Sequence, residues 1–381
     1  MRIVFLSNFY NHHQAYISKW INQITNEQFL FFCTSMMGEE QKALLYQSFD
    51  DNFVKDYYKD KSKSDNEVSN ADVVIFGSAP YELVVKRLLE NKIVFLYSER
   101  IYKVQPPWYE MPARALKYWY LKGRFTNMYL LCASAFIYAD YHKTRTFENR
   151  AYKWGYFPET RKYDIDSLLR TKDNSKILWI GRFLDWKHPD DVLRVAKRLK
   201  DDGYCFSVDI GGVGKMAAQL NEMAEYYDIS DFVTFLGAIP SDKVRSYMEN
   251  SGIFLFTSDR YEGWGAVLNE SMNSGCAVVA SHAIGAVPYL MKHQENGLVY
   301  HSGNVDELYK RVKYLLDHPE GQERLGRAAY KTITEEWNAE IAAVRLITLS
   351  EHLLAGEKHP DLYETGPCSK AELVKDDWFY E

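Results

Sequence analysis

Two glutamates, Glu262 and Glu270, stand on either side of a glycine-bearing turn in the stretch DRYEGWGAVLNESMNSGCAVVAS, residues 259–281. The apolar run ahead of it, Ile253 to Thr257, reads as a buried strand. That strand stops at Asp259 and Arg260 and passes through Glu262, Gly263, Trp264 and Gly265 into a helical pattern. Ligands of open α/β sheets bind outside the carboxyl end of a strand. Gly263 and Gly265 allow close backbone approach, and a helix start offers unpaired N–H groups and the positive end of its dipole, which together make an anion site. Both carboxylates cannot bind that anion. One lies in the loop and the other about one to two turns inside the helix, where each suits hydroxyl groups. A ligand with a diphosphate in the middle and a hydroxylated ring at each end fits this arrangement, and that describes a nucleotide-sugar.

The segment EGWGAVLNESMNSGCAVV resembles the Glu-x7-Glu signature, EGFGxxxxEAMAxGxPVV, of the family 4 glycosyltransferases (glycosyl transferases group 1), here of the bacterial surface-polysaccharide type. The resemblance implies a retaining enzyme of α/β class with GT-B architecture: two Rossmann-like domains facing each other across a cleft. It implies that Glu262 contacts the donor sugar and Glu270 holds the nucleotide ribose, with Gly263, Trp264 and Gly265 at the donor. A bare pair of glutamates would be two solvated side chains; Gly263, Gly265, Gly275 and the flanking strands in register set this one apart.

GRFLDWK, residues 181–187, leaves the end of another apolar run, ahead of a helix start marked by Pro189 and Asp190. It is similar to the family's G-R-x-x-x-x-K stretch, which implies that Arg182 and Lys187 neutralise the donor diphosphate beside Gly181. GGVGK, residues 211–215, resembles the family's glycine-bearing turn near the nucleotide and brings in Gly212, although it reads as readily as a plain tight turn. It is not a P-loop, because Asp209 and Met216 stand where that motif needs Gly and Ser or Thr. Gly237, closing Phe235–Leu236–Gly237, is similar to the strand end beside the base.

The first half resembles the family less closely. Asn8 to Gln14 replaces a glycine-rich loop and contains His12 and His13, which are acceptor candidates or, equally, capping or core histidines. Where many members have a histidine after the fourth strand, this chain has Tyr97-Ser98-Glu99-Arg100. Glu99 and Arg100 become acceptor candidates, with structural ion pairing as the alternative. From Arg100 to Arg124 six basic residues face the single acid Glu110, with Trp108, Tyr109, Trp119 and Tyr120 interleaved. Such a segment suits the headgroup layer of an anionic membrane, or is a solvated helical hairpin.

The implied reaction moves a sugar from a nucleotide-sugar, foremost a UDP-sugar, to a hydroxyl of a glycan or lipid-linked glycan in polysaccharide or glycoconjugate synthesis. No cofactor and no metal are expected, since Arg182, Lys187 and the helix start would meet the charge of the leaving diphosphate. Asp164-Ile165-Asp166 has DxD spacing but lies in a polar linker. A nucleotide-sugar epimerase or hydrolase of the same fold would turn over the donor without an acceptor. A non-catalytic partner subunit would lack one of Glu262, Glu270, Arg182 and Lys187, and all four are present.

Positioning these residues takes two cores, because a chain of 381 residues exceeds the roughly 250–300 at which one core stops growing. Continuous apolar runs alternate with helical spacing, which predicts parallel sheets covered on both faces. The expected strands are Ile3–Ser7, Phe29–Ser35, Ala71–Gly77, Lys92–Ser98, Met128–Ser134 and Ala151–Phe157. In the second half they are Lys176–Ile180, Ser207–Ile210, Val233–Leu236, Ile253–Thr257, Ala277–Ala280 and Leu298–His301. The expected division is an acceptor domain 1–158, a linker 159–174, a donor domain 175–355 ending in a helix over Asn338–Ala355, and a tail 356–381. Trp378, Phe379 and Tyr380 in that tail are expected to pack on the first domain. Lys55 to Asn70 reads as a charged surface loop. The net charge of −6 argues against coating nucleic acid. Five scattered cysteines without a CxxC pair read as buried hydrophobes in a reducing compartment. Met1 to Ser7 is too short for a secretory segment and no stretch spans a bilayer, so the expected location is cytoplasmic, peripheral at the inner face of the plasma membrane.

Overall fold

The computed structural model describes residues 1–35 and 50–380. They form two compact units, Met1–Glu159 with Trp337–Asp376, and Thr160–Glu336 with Asp377–Glu381. In the first unit the strands are β1 (Ile3–Ser7), β2 (Phe29–Cys33), β3 (Val54–Asp56), β4 (Val73–Phe76), β5 (Ile93–Ser98), β6 (Met128–Cys132) and β7 (Ala151–Lys153). Among the described residues they make one sheet in the order β3-β2-β1-β4-β5-β6-β7, with every pairing parallel. The runs IVFLS and VVIF are buried at every position, as strands covered on both faces must be.

The second unit repeats the plan with β8 (Asp173–Ile180), β9 (Ser207–Gly211), β10 (Val233–Gly237), β11 (Ser251–Phe256), β12 (Ala277–Ser281) and β13 (Leu298–Tyr300). Their order is β10-β9-β8-β11-β12-β13, again all parallel. Both sheets are therefore Rossmann-like, and each reverses direction of strand addition at one point, between β1 and β4 or between β8 and β11. That reversal opens a crevice at the carboxyl ends of the two strands. Helices cover the sheets by amphipathic spacing: Pro189–Asp201 buries Val192, Leu193, Val195, Ala196 and Leu199 and carries Asp190 and Asp191 in its first turn, where the dipole favours acids.

Every apolar run read as a strand is one, though Ala151–Phe157 keeps only its first three residues. The stretch Lys55–Asn70 is not a loop: it holds the end of β3 and the helix Lys61–Asn70. Only Ser64 and Val68 of that helix are buried. Its start is set by Asp60, whose side chain accepts from the Lys63 N–H at 3.1 Å, a cap rather than an apolar face. The supposed linker is likewise structured. Asp164 caps the helix Ile165–Thr171, accepting from the Ser167 N–H at 3.3 Å, and Asp166 pairs with Arg327, so both acids of the DxD spacing are structural.

The helix Ala339–Leu354, read as the end of the donor domain, belongs to the first unit, where it packs on the helix His12–Ile24. The tail divides. Cys368 N–H donates to the Lys153 carbonyl at 2.8 Å, Lys153 N–H to Ser369 at 2.8 Å, and Ala371 N–H to Ala151 at 3.0 Å, which satisfies the open edge of β7. Trp378 and Phe379, expected in the same place, lie in the second unit instead. The Trp378 indole N–H donates to the His282 carbonyl at 2.9 Å, and the buried Phe379 ring sits 5.2 Å from His293 and 5.1 Å from His301. A strand edge accepts backbone, whereas these rings need an aromatic seat. Of the cysteines, Cys132, Cys276 and Cys368 are buried but Cys205 is exposed.

Candidate functional site

In the second unit Lys187 and Glu262 form an ion pair at the carboxyl ends of β8 and β11, the point where strand order reverses. Glu262 also accepts from the Ser258 hydroxyl at 3.0 Å. The Lys187 ammonium lies 4.6 Å from the Trp186 ring centroid, a cation–π contact that adds to the pair. Both side chains are largely enclosed, 13 % and 11 % exposed, so each charge depends on the other or on a ligand group that takes its place.

A buried relay holds the loop that carries Lys187. The Trp179 indole N–H donates to the Thr257 hydroxyl at 2.8 Å, and that hydroxyl donates to the Lys187 carbonyl at 2.7 Å. The next residue, His188, is left-handed at φ 48 and ψ 51, although it precedes a proline, which ordinarily favours extended backbone. Such a backbone costs about 1–3 kcal/mol and persists only where its surroundings impose it. Here His188 Nε2 lies 3.3 Å from Asp259 Oδ2, and Asp259 N–H donates to the Trp186 carbonyl at 2.9 Å. These contacts join the loops after β8 and β11. None had a signal in the sequence beyond the strand ends themselves.

The glycines have two different reasons. A Cβ on Gly265, φ +87, would lie 2.3 Å from Phe256 Cζ, and one on Gly212, φ +142, would lie 1.8 Å from the Gly181 carbonyl oxygen. Gly212 is thus required by the close approach of two strand ends. Its N–H donates to Gly237 at 2.8 Å, while Gly181 N–H donates to Gly211 at 3.0 Å, so Gly181, Gly212 and Gly237 form one row of turns at the ends of β8, β9 and β10. Trp264 is fully buried, its indole N–H donating to Asn269 Oδ1 at 2.9 Å; its side chain is core, contrary to the reading that placed it at the donor. The helix Val267–Asn273 is only seven residues long, so its dipole supplies less than a full helix would. Glu270 stands on it, half-buried, and Arg182 is exposed on the loop after β8.

The first unit gathers three of its four candidates. The His12 and His13 rings are 3.9 Å apart at the start of the helix His12–Ile24, and His13 stacks on Tyr156 at 4.9 Å. The Tyr156 hydroxyl donates to Glu99, which follows β5. Burial lowers His12 to about 4, and burial with the neighbouring His12 holds His13 well below the usual range. Both imidazoles are therefore neutral. Tyr156, which no motif marked, joins the cluster from the segment after β7.

Arg100 is not part of it. Its guanidinium is buried, with Nε 3.4 Å from Asp140 and Nη2 2.6 Å from Asp376, and it lies 5.0 Å from the Phe136 ring centroid. This is the structural ion pair left open as the alternative. Burial raises the Asp140 carboxyl above its usual range despite the arginine. Two more cations of the basic segment have partners of their own. Arg114 pairs with Glu110 at 2.7 Å, and Lys122 donates to the Tyr141 hydroxyl at 2.5 Å, its ammonium lowered to about 8 by burial and then by Lys117.

Residues 160–332 match the family model described as Glycosyl transferases group 1. An uncharacterized glycosyltransferase of Haemophilus influenzae is 30% identical over 173 residues, 43% of this chain and 48% of its own length. The amylovoran biosynthesis glycosyltransferase AmsK of Erwinia amylovora is 28% identical over 183 residues, 47% of this chain and 45% of its own. The chain spans about half the length of the curated relatives it matches. Anabaena HepE, solved in complex with UDP, has a TM-score of 0.67 at 16% identity, covering 92% of this chain and 100% of that one. Sucrose-phosphate synthase of Thermosynechococcus elongatus has a TM-score of 0.63 at 14% identity, covering 93% and 100%. Two Rossmann-like domains of α/β class match these GT-B structures.

Proposed function

We propose, from the premise of a glycosyl transferases group 1 domain at residues 160–332, that the chain transfers a sugar from a nucleotide-sugar to a hydroxyl of a glycan, with retention at the anomeric carbon. The observation that carries this reading is the Lys187–Glu262 pair at the reversal of strand order, with Arg182 on the same loop and Glu270 eight residues beyond Glu262. An arriving diphosphate would draw the Lys187 ammonium away from Glu262 and add Arg182, giving charge-assisted hydrogen bonds to the leaving group as negative charge grows on it. Glu262, released from the lysine, would accept from hydroxyls of the sugar, while Glu270 accepts from the ribose. UDP is the first nucleotide to try, since HepE is solved with UDP and with UDP-glucose.

The acceptor hydroxyl is assigned to the cluster of His12, His13, Tyr156 and Glu99, whose neutral imidazoles and shared carboxylate suit polar, uncharged groups. Polysaccharide synthesis is the setting, as the name of AmsK states for that relative. A thermal-shift and calorimetric screen of nucleoside diphosphates and nucleotide-sugars tests the donor. Turnover of a bound nucleotide-sugar with no acceptor present would favour an epimerase or hydrolase.

A further inference from the structure

The segment from Trp108 to Gly123 is three helical pieces in succession: a 3-10 turn at Trp108–Glu110, an α-helix at Met111–Tyr118 and a π turn at Trp119–Gly123. Not one of its residues is buried. A surface helix of a water-soluble fold buries its apolar stripe; this segment leaves five large apolar side chains in solvent. Trp108 is 84 % exposed, Leu116 66 %, Tyr109 65 %, Tyr120 54 % and Trp119 50 %. All five belong to one short run of consecutive helical turns, and the Trp108 and Tyr109 rings lie 6.2 Å apart, so the run presents a largely apolar surface to solvent.

The segment's own charges are mostly basic. Its acid, Glu110, is paired with Arg114 at 2.7 Å. Lys117 is exposed at the rim, and the Arg124 guanidinium lies 4.1 Å from the Tyr120 ring centroid, so that ring and cation face outward together. Tryptophan and tyrosine rings with flanking cations are suited to the boundary between hydrocarbon and headgroups, with the ring in the apolar layer and the cation at lipid phosphate. No helix among the described residues is long and apolar enough to cross a membrane, so this element would lie in the plane of the interface.

We infer that residues 108–124 dock the protein on an anionic membrane surface, the exposed rings and Leu116 inserting below the headgroups and Lys117 and Arg124 holding lipid phosphates. This differs from attraction by a basic segment, because Arg100 is held in a buried ion pair, Lys122 donates to the Tyr141 hydroxyl and Arg114 is paired with Glu110 at the surface. Area burial carries the binding and charge assists it. The inference rests on the transferase reading only for its purpose, bringing the acceptor domain to a lipid-linked glycan. The docking itself needs no substrate.

Co-sedimentation of the full chain with vesicles of phosphatidylcholine alone and of phosphatidylcholine with phosphatidylglycerol tests it, with UDP binding measured on the same samples. Binding to the anionic vesicles is expected, with less than a tenfold loss when the salt concentration is raised. Trp108→Ala and Trp119→Ala are each expected to lower vesicle affinity about fivefold or more, and Lys117→Glu about fivefold, with UDP binding unchanged in all three. Failure of the native chain to bind either vesicle, or unchanged affinity in both tryptophan variants, would overturn the inference while leaving the donor site intact. So would light scattering in which those variants turn a dimer into a monomer without loss of vesicle binding, since the patch would then meet a second copy. Vesicle binding without any nucleotide binding would sink the transferase reading instead.

Discussion

Lys187 and Glu262, 75 residues apart in the chain, close the crevice between β8 and β11 with a direct charge pair. In the absence of ligand this contact stabilises the fold, so loss of either partner leaves the other charge enclosed and unmatched. A double-mutant cycle of Lys187→Met and Glu262→Gln, followed by urea unfolding, is expected to show a coupling of about 0.5–3 kcal/mol. Additive effects would mean that the pair does not form in solution.

On the proposed reading the donor roles divide between the two glutamates. Glu270→Ala and Arg182→Ala are each expected to weaken UDP binding by about 1.5–3 kcal/mol, the range for hydrogen bonds to charged groups. Glu262→Gln should cut turnover and leave UDP binding nearly intact. Equal loss of UDP binding in all three variants, measured by calorimetry, would contradict that division.

With Arg182 and Lys187 meeting the leaving diphosphate, EDTA is expected to change the transfer rate by less than about twofold, whereas a metal-held leaving group would lose several kcal/mol of stabilisation. Loss of activity with EDTA and rescue by manganese would refute this.

The neutral histidines give the first unit a pH dependence. His12 is lowered from 6.5 to about 4 by burial, and His13 is held well below its usual value by burial and then by His12, so the unfolded chain takes up protons between pH 6.5 and 4 that the folded chain refuses. Stability therefore rises with pH through that window and is lost as pH falls, by on the order of 3 kcal/mol for His12 alone. Thermal unfolding from pH 7 to 4.5 should show the decline, and His12→Gln should flatten it. An unchanged slope in that variant would assign the effect elsewhere.

Glycine substitutions separate close approach from backbone conformation. Gly212→Ala sets a Cβ against a carbonyl oxygen, whereas Gly203, φ +77, has nothing within 4 Å. Gly203→Ala should cost only the left-handed penalty of about 1–2 kcal/mol. Gly212→Ala should cost more and weaken UDP binding as well, since the row of turns after β8, β9 and β10 must shift. Thermal shift with and without UDP compares the two.

Strand positions and the glycine turns that follow them were legible because continuous apolar runs and glycines are local signals. What escaped was settled by contacts distant in sequence. Arg100 reads as a cleft cation until Asp140 and Asp376 are seen beside it. Trp264 reads as a ring at the donor, but Asn269, one helical turn on, satisfies its indole in the core. The helix Lys61–Asn70 has almost no apolar face, and a single capping aspartate creates it. Tyr156 joins the His13 and Glu99 cluster only because β5 and β7, on either side of β6, run parallel and so end at the same side of the sheet.

The chain leaves the first unit at Glu159 and returns to it at Trp337, and the returning helix Ala339–Leu354 packs on the helix His12–Ile24. For anyone building chimeras, this makes residues 160–336 a cassette with two crossover points, and the tail from Asp377, whose Trp378 and Phe379 seat on the second unit, has to travel with it. A single junction near residue 160 would join a foreign C-terminal helix to a native partner, and the buried Ala15, Ile17 and Ile21 would meet side chains not selected to fit them. Exchange of 160–336 together with 377–381 keeps the helix packing and the Trp378 and Phe379 seat native, so a folded hybrid should come from these crossovers and not from a single one.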